Sequence, residues 1–311
     1  MVMKTVLVLG ALGGVGKAVA KAFVHHGWRV QGLVRAGKAG LPDGVEAVTA
    51  DLFDAAAVAR ASGPVDVVFN GLNAPYPVWP TQALPLYTAA ADIAEALDAR
   101  QIYPGSVYNF GAGMPPELTP DTPFAPTTVK GRIRVAIEAM FRERADAGRL
   151  RTLVVRAGDF FGEGAAKSWM HVVVAKEMAK GKITAPGGYD TVHAWAYLPD
   201  LAETIVRLAE MESGLGVYEV FHFEGHNLTM RQLRDAARTA VGRKMALSRL
   251  PRLVFPLMGL FDPMMKATIE MLYLWDVPHA LKDVKKDGKT LAQAVGPLPH
   301  TPLVEALKTL P

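Results

Sequence analysis

The first stretch of the chain, Lys4 to Gly27 (KTVLVLGALGGVGKAVAKAFVHHG), limits its fold more than any other. Val6, Leu7, Val8 and Leu9 are consecutive and apolar, so this strand has no polar face and must be buried on both sides, as in a parallel sheet. Gly10, Gly13 and Gly16, with Leu12, Gly14 and Val15 between them, then form a turn that passes directly into a helix-period segment. That segment places Val15, Val19 and Phe23 on one face and Lys17 and Lys21 on the other. Each glycine has a reason: Gly10 permits the sharp turn, Gly13 lets backbone N–H groups approach a pyrophosphate, and Gly16 lets the helix pack closely on the strand. The helix N-terminus then presents unpaired donors and the positive end of its dipole to phosphates. A strand before the glycines and an amphipathic helix after them separate a dinucleotide-binding turn from a merely flexible loop.

Composition narrows the remaining classes. At 311 residues the chain is long enough for one large α/β domain, or a core with an appendage, and for a substantial buried core. The net charge of +4 is dispersed rather than gathered on one block, which argues against a nucleic-acid partner. With no cysteine there is no disulfide framework, thiolate zinc site or cysteine nucleophile, and a cytoplasmic location is expected. Only three residues precede Lys4, which leaves no room for a cleavable signal. The most apolar stretch, Leu253 to Trp275, is interrupted by Pro256, Asp262, Pro263, Lys266 and Glu270, so no membrane association is expected.

After the helix stops at Gly27, Trp28 to Val34 reads as a second strand ending at Arg35, with Lys38 close behind. An acidic residue at this position favours a free ribose 2′-hydroxyl and an arginine a 2′-phosphate, so Arg35 and Lys38 point to NADP over NAD; the alternative is a solvated loop cation. Val45 to Ala50 is a third strand, followed by Asp51 and Leu52, where a carboxylate could meet the adenine. Asp54 caps a helix that Gly63 stops. Val65 to Phe69 is a fourth strand, with Asn70, Gly71, Leu72 and Asn73 at its carboxyl end, where open parallel sheets bind ligands. Asn73, Tyr76 and Trp79 are pocket-wall candidates or simply packed. A helix over Thr81–Arg100, a strand entered at Gln101, a helix over Thr128–Ala147 and a strand over Leu150–Arg156 complete a doubly wound parallel sheet.

Beyond Gly162 the alternation weakens. The pattern predicts a helix at Trp169–Lys180, Asp200 as cap of a helix over Leu201–Met211, a strand over Val217–Phe223 and a capping box at Thr229–Gln232. It divides the chain into a core, 1–165 and 191–227, and a small substrate-capping subdomain, 166–190 and 228–311. Leu247 to Trp275, with Met258, Met264, Met265 and Met271, would line an apolar pocket or serve only to pack the subdomain onto the sheet.

Taken together, Gly10-x-x-Gly13-x-x-Gly16, Asp51-Leu52, Asn70-Gly71, Val107-Tyr108, the run Arg156 to Gly162 and the run Tyr197 to Asp200 resemble the extended and atypical short-chain dehydrogenase/reductase superfamily, the NAD-dependent epimerase/dehydratase relatives. The resemblance covers the chain to about Gly242. It implies a nicotinamide near the ends of the fifth and sixth strands, with Pro104, Ala157, Asp159 and Phe160 among its neighbours. The superfamily's chemistry uses a Tyr-x-x-x-Lys pair on the helix after the fifth strand and a Ser or Thr at that strand's end. Here Lys130 stands in the tyrosine's place and Arg134 in the lysine's, and Val107-Tyr108 brings Pro104 to the serine's place, with Ser106 available only on a shifted loop.

Three readings of Lys130 stay open: a general acid/base of lowered pKa, a cation on the nicotinamide ribose or phosphates, or a solvated helix residue. Tyr108 and Tyr103 are substitutes for the missing tyrosine or core residues, and His193, Asp159 and Glu163 lie where substrate could approach. No ligand spacing suggests a metal. The function implied is an NADP-preferring oxidoreductase or epimerase-like enzyme acting on a small carbonyl or alcohol substrate by hydride transfer. Its alternative is a catalytically silent NADP(H)-binding sensor or scaffold. The resemblance also suggests a homodimer through the helices after the fourth and fifth strands.

Overall fold

The computed structural model describes residues 3–211, 214–255 and 259–310. Met258, one of the methionines singled out above, lies outside them. The central sheet has seven strands: β1 (Thr5–Leu9), β2 (Arg29–Val34), β3 (Val45–Thr49), β4 (Val67–Asn70), β5 (Arg100–Gly105), β7 (Arg151–Arg156) and β11 (Tyr218–His222). All pair in parallel, in the order β11-β7-β5-β4-β1-β2-β3. Successive side chains of a strand point to opposite faces, and β1 shows what its unbroken apolar run is for. Val6 and Val8 join one core, under α1 (Gly14–His25) and α5 (Leu198–Glu210), while Leu7 and Leu9 join the other, under α3 (Trp79–Ala96) and α4 (Val129–Asp146). The order reverses between β1 and β4, which opens a crevice at the carboxyl ends of those strands.

Short elements build the second part. β8 (Asp159–Phe161), β10 (His193–Tyr197) and β12 (His226–Leu228) form a three-stranded sheet in the order β12-β10-β8, β9 (Lys182–Ala185) pairs with β13 (Ala246–Arg249), and β6 (Glu117–Leu118) pairs with β14 (Ala280–Leu281), while α2 (Ala55–Ser62) joins β3 to β4. The helix Thr229 caps, α6 (Met230–Val241), packs here with its capping box formed. A short helix, α7 (Pro263–Ile269), leads into a turn at Leu272–Trp275, and the terminal helix is Leu303–Lys308.

Three expectations need correction. Trp169–Lys180 is not a helix but a wide turn at Met170–Val174 followed by a tight one at Met178–Lys180. Met170, Val174 and Met178 are buried there and Trp169 rests edge-on against Trp275, so tertiary packing decides the backbone. Asp200 does not cap α5; it lies in the first turn, and its carboxylate accepts from the backbone N–H (2.7 Å) and hydroxyl (2.8 Å) of Thr301. β5 extends through Pro104 to Gly105, so the residue at its exit is Ser106.

Candidate active site

The glycine turn is a cradle of bare backbone. Gly10 has φ +79°, in the left-handed region that glycine adopts without strain, and its carbonyl accepts from the N–H of Gly13 at 2.8 Å. A side chain at Gly16 would place its Cβ 2.2 Å from the Gly10 oxygen, and one at Gly10 would place it 2.6 Å from the Gly71 oxygen. At Gly14 the obstacle is the Gly164 carbonyl, 1.7 Å from where a Cβ would stand. Gly13 and Gly14 are exposed at the helix N-terminus, flanked by the half-buried Leu12 and Val15, which fits a site for a pyrophosphate. Glu163 is drawn off to Lys21 at the surface (2.5 Å).

The loops where the sequence places the adenosine are exposed as well. Arg35 is the first residue past β2, exposed, and its guanidinium has no hydrogen-bonding or ionic partner among the described residues. The N–H of Lys38 donates to the Arg35 carbonyl (3.1 Å), so both cations belong to one turn. Asp51 is exposed, with one carboxylate oxygen held by the N–H of Phe53, and Leu52 is half-buried. Asn70 is otherwise placed. Fully buried, it donates to Gln101 (3.1 Å), which donates to Thr152 (3.3 Å), and so joins β4, β5 and β7 from within. Leu72 accepts from the Tyr87 hydroxyl through its carbonyl (2.7 Å), and Asn73 is exposed.

Where the resemblance implies the nicotinamide, α4 does not present the pair that its spacing implies. Thr128 caps the helix, accepting from the N–H of Gly131. Lys130 is buried and donates to the Glu270 carboxylate (2.5 Å) and the Ala267 carbonyl (2.5 Å). The second Glu270 oxygen accepts from the N–H of Val129 (3.0 Å). Arg134 is turned into an aromatic cage, facing Trp79 (4.8 Å), Tyr87 (5.3 Å) and Tyr103 (5.5 Å) and donating to the hydroxyls of Tyr87 (3.2 Å) and Tyr103. Tyr103 is thus a buried core residue.

What gathers instead is a pair of phenols. The hydroxyls of Tyr76 and Tyr108 lie 2.7 Å apart, and the Lys130 ammonium sits 4.9 Å from the centre of the Tyr76 ring. Burial pushes both phenols above their ordinary range, Tyr108 well above, and the Asp159 carboxylate adds to the rise at each. The neighbouring Ser106 hydroxyl is buried without a partner among the described residues. Its carbonyl accepts from Arg156, which is paired with Glu138 at 2.7 Å in full burial. Asp159 is half-buried and holds Nε2 of His193 at 2.9 Å; His193 stacks flat on Trp275, 4.0 Å between ring centres, with Nδ1 3.3 Å from the Leu274 carbonyl. Ala157 is buried beneath this loop and Phe160 packs half-exposed on the core. Sequence reasoning missed Tyr76 as a partner of Tyr108, Glu270 and the correct place of Ser106. No sequence signal joins Tyr76 to Tyr108 or Lys130 to Glu270, although a strand read as far as Gly105 would have found Ser106. Among the described residues no group of three or more His, Asp and Glu could hold a metal ion, and no helix is long and apolar enough to cross a membrane.

Comparison with known proteins agrees with this architecture. The model of the NAD dependent epimerase/dehydratase family matches residues 6–222. The chain belongs to that family. Among solved structures it is similar to the UDP-glucuronic acid 4-epimerase of Bacillus cereus, solved with UDP-glucuronic acid and NAD (TM-score 0.74, 13% identity, 98% of this chain and 97% of that one covered). It is also similar to the UDP-N-acetylglucosamine 4-epimerase of Methanobrevibacter ruminantium M1, solved with UDP-N-acetylmuramic acid (0.73, 15%, 99% and 97%). A third is the UDP-glucose 4-epimerase of Bifidobacterium longum, solved with NAD+ and UDP (0.71, 15%, 98% and 96%). At these identities the likeness is one of fold. No curated protein matches the chain by sequence.

Proposed function

We propose that this family member is an NADP-preferring enzyme that reduces a small carbonyl substrate by hydride transfer. The observation that carries the reading is the Tyr76–Tyr108 hydroxyl pair, 2.7 Å apart beside the exits of β4 and β5. A bound nicotinamide supplies the hydride, and the chain must supply the proton and the orientation. A phenol held neutral by burial is a proton donor at neutral pH and a poor base. Such a site favours reduction over the alcohol oxidation with which an epimerisation through a keto intermediate begins. Ser106, with its unpartnered buried hydroxyl, is the second group suited to a substrate oxygen. Lys130, neutralised by Glu270, fastens the segment after α7 to α4 rather than moving a proton. Arg35 and Lys38 would face the 2′-phosphate.

A specific observation favours the second reading, a silent NADP(H)-binding sensor: both positions of the superfamily's catalytic pair are engaged elsewhere, Lys130 with Glu270 and Arg134 in its cage. Parallel calorimetric titrations with NADPH and NADH, followed by a screen of carbonyl compounds for NADPH oxidation, test both readings. NADPH is expected to bind at least about tenfold more tightly, a margin of about 1.4 kcal/mol that Arg35→Asp removes. Failure to bind either nucleotide would end the proposal. Tight binding with no turnover on any carbonyl would leave the sensor.

A further inference from the structure

We infer that the surface around Leu253, Leu260 and Phe261 docks on an anionic lipid bilayer without crossing it. Among the described residues these are the three most exposed large apolar side chains, at 97%, 74% and 85%, and Met264 is exposed as well. All four belong to the most apolar stretch of the chain. Proline and charge interrupt that stretch, which bars a span but not a segment that lies flat with one apolar edge.

This apolar edge is surplus to the core. Phe255 is buried in one apolar cluster with Trp275, and Leu250, Met265 and Ile269 pack against it. The N–H of Gly259 donates to the Phe255 carbonyl (2.8 Å), and a Cβ at Gly259 would stand 2.9 Å from Cδ1 of Ile269, so the turn lies tightly on α7. Arg252 anchors its start, donating to the two oxygens of Asp276 at 2.7 and 2.8 Å and to the Pro186 carbonyl at 3.3 Å. Inward residues thus hold the segment in place, while Leu253, Leu260, Phe261 and Met264 project outward. A projecting tip of leucine and phenylalanine suits the boundary between headgroups and acyl chains.

Charge names the partner. The carboxylates of this region are engaged within the chain: Asp276 with Arg252, Glu270 with Lys130, Glu177 with Lys182, and Asp262 with the N–H groups of Met264 and Met265. Lys180, Lys244, Arg249 and Lys266 are exposed, without an ion-pair partner among the described residues. The pairing of β9 with β13 sets Lys180 and Lys244 near one end of the two strands and Arg249 at the other, roughly 15 Å away, on the approach to Leu253. Arg249 and Leu253 also wall an open groove of about 530 Å³ with Pro186 and Pro251, which gives a headgroup phosphate room beside the guanidinium. A second copy docking by the same face would set these cations against their own kind. An anionic bilayer complements every one of them.

Sedimentation of the purified full chain with sucrose-loaded vesicles tests this, using phosphatidylcholine alone and phosphatidylcholine with about 30% phosphatidylserine. The expected result is at least about tenfold stronger partitioning onto the serine-containing vesicles, lowered about fivefold by Lys266→Gln. Leu253→Asp combined with Phe261→Asp should lower it at least about tenfold, with an unchanged thermal midpoint because both side chains face solvent. Val284→Asp, at an exposed apolar residue beyond β14, should leave it unchanged. Since the chain has no cysteine, Leu253→Cys takes a single environment-sensitive dye, whose emission should move to shorter wavelength on the anionic vesicles. No partitioning, equal partitioning onto both vesicle types, or partitioning retained by the double aspartate variant would each overturn the inference. So would a dimer in light scattering that the same variant dissociates, since the face would then belong to a second copy.

Discussion

Arg134 shows how a residue in a catalytic slot can be retained by packing. Its guanidinium is buried against Trp79, Tyr87 and Tyr103, which together hold α4 to α3 and β5. A planar cation with spread charge suits such a cage, and a compact ammonium does not. Arg134→Lys is therefore expected to lower the unfolding free energy by about 1–3 kcal/mol, since stacking and one or two hydrogen bonds are lost. Urea unfolding measures the loss. Sequence spacing identified both Arg134 and Lys130 as unusual but could not say where they point. The partner of Lys130 is 140 residues away and that of Tyr108 is 32 residues away, and no local pattern encodes such pairs.

Local signals fared better for elements marked by short sequence patterns. The strand, glycine turn and helix at the N-terminus, the cap Asp54 and the Thr229–Gln232 box were all legible, because each carries its signal within a few residues. β8 and β12, of three residues each, and the turn at Met170–Val174 were not, because only their neighbours make them regular. Helix pairing also sets a pH response. His26 at the end of α1 lies between two carboxylates of α5, with Nε2 2.8 Å from Glu203 and Nδ1 2.9 Å from Glu210. Burial opposes the charged ring, but the two carboxylates outweigh it, so its pKa is raised above the ordinary histidine value. A raised folded pKa contributes stability that is fully present below the unfolded value, about 6.5, and lost as pH rises through the folded value. Thermal midpoints of the unaltered chain and His26→Gln should thus differ most near pH 5.5 and converge by about pH 9. A gap that widened with pH would contradict the assignment.

At the scale of the molecule, a charged contact joins the segment that follows α7 to the first turn of α4. Glu270 reaches the first turn of α4, taking the N–H of Val129 and the ammonium of Lys130, while the Thr128 hydroxyl meets the Met271 sulfur at 3.9 Å. The weakening of strand and helix alternation after Gly162 marked in the sequence where the short elements begin, but this contact left no such mark. On the proposed function, the hold of Glu270 on Lys130 leaves the Tyr76 and Tyr108 hydroxyls as the groups that serve the substrate. The most direct test compares NADPH-dependent turnover by Tyr108→Phe and Lys130→Met of a carbonyl compound that the unaltered chain reduces, with NADPH affinity measured on both. Removing the Tyr108 hydroxyl should lower kcat by about 10²- to 10⁴-fold, the usual worth of a positioned general acid, while Lys130→Met keeps kcat within about tenfold. The opposite order, with Tyr108→Phe active and Lys130→Met dead at unchanged NADPH affinity, would contradict the account and return the proton to α4.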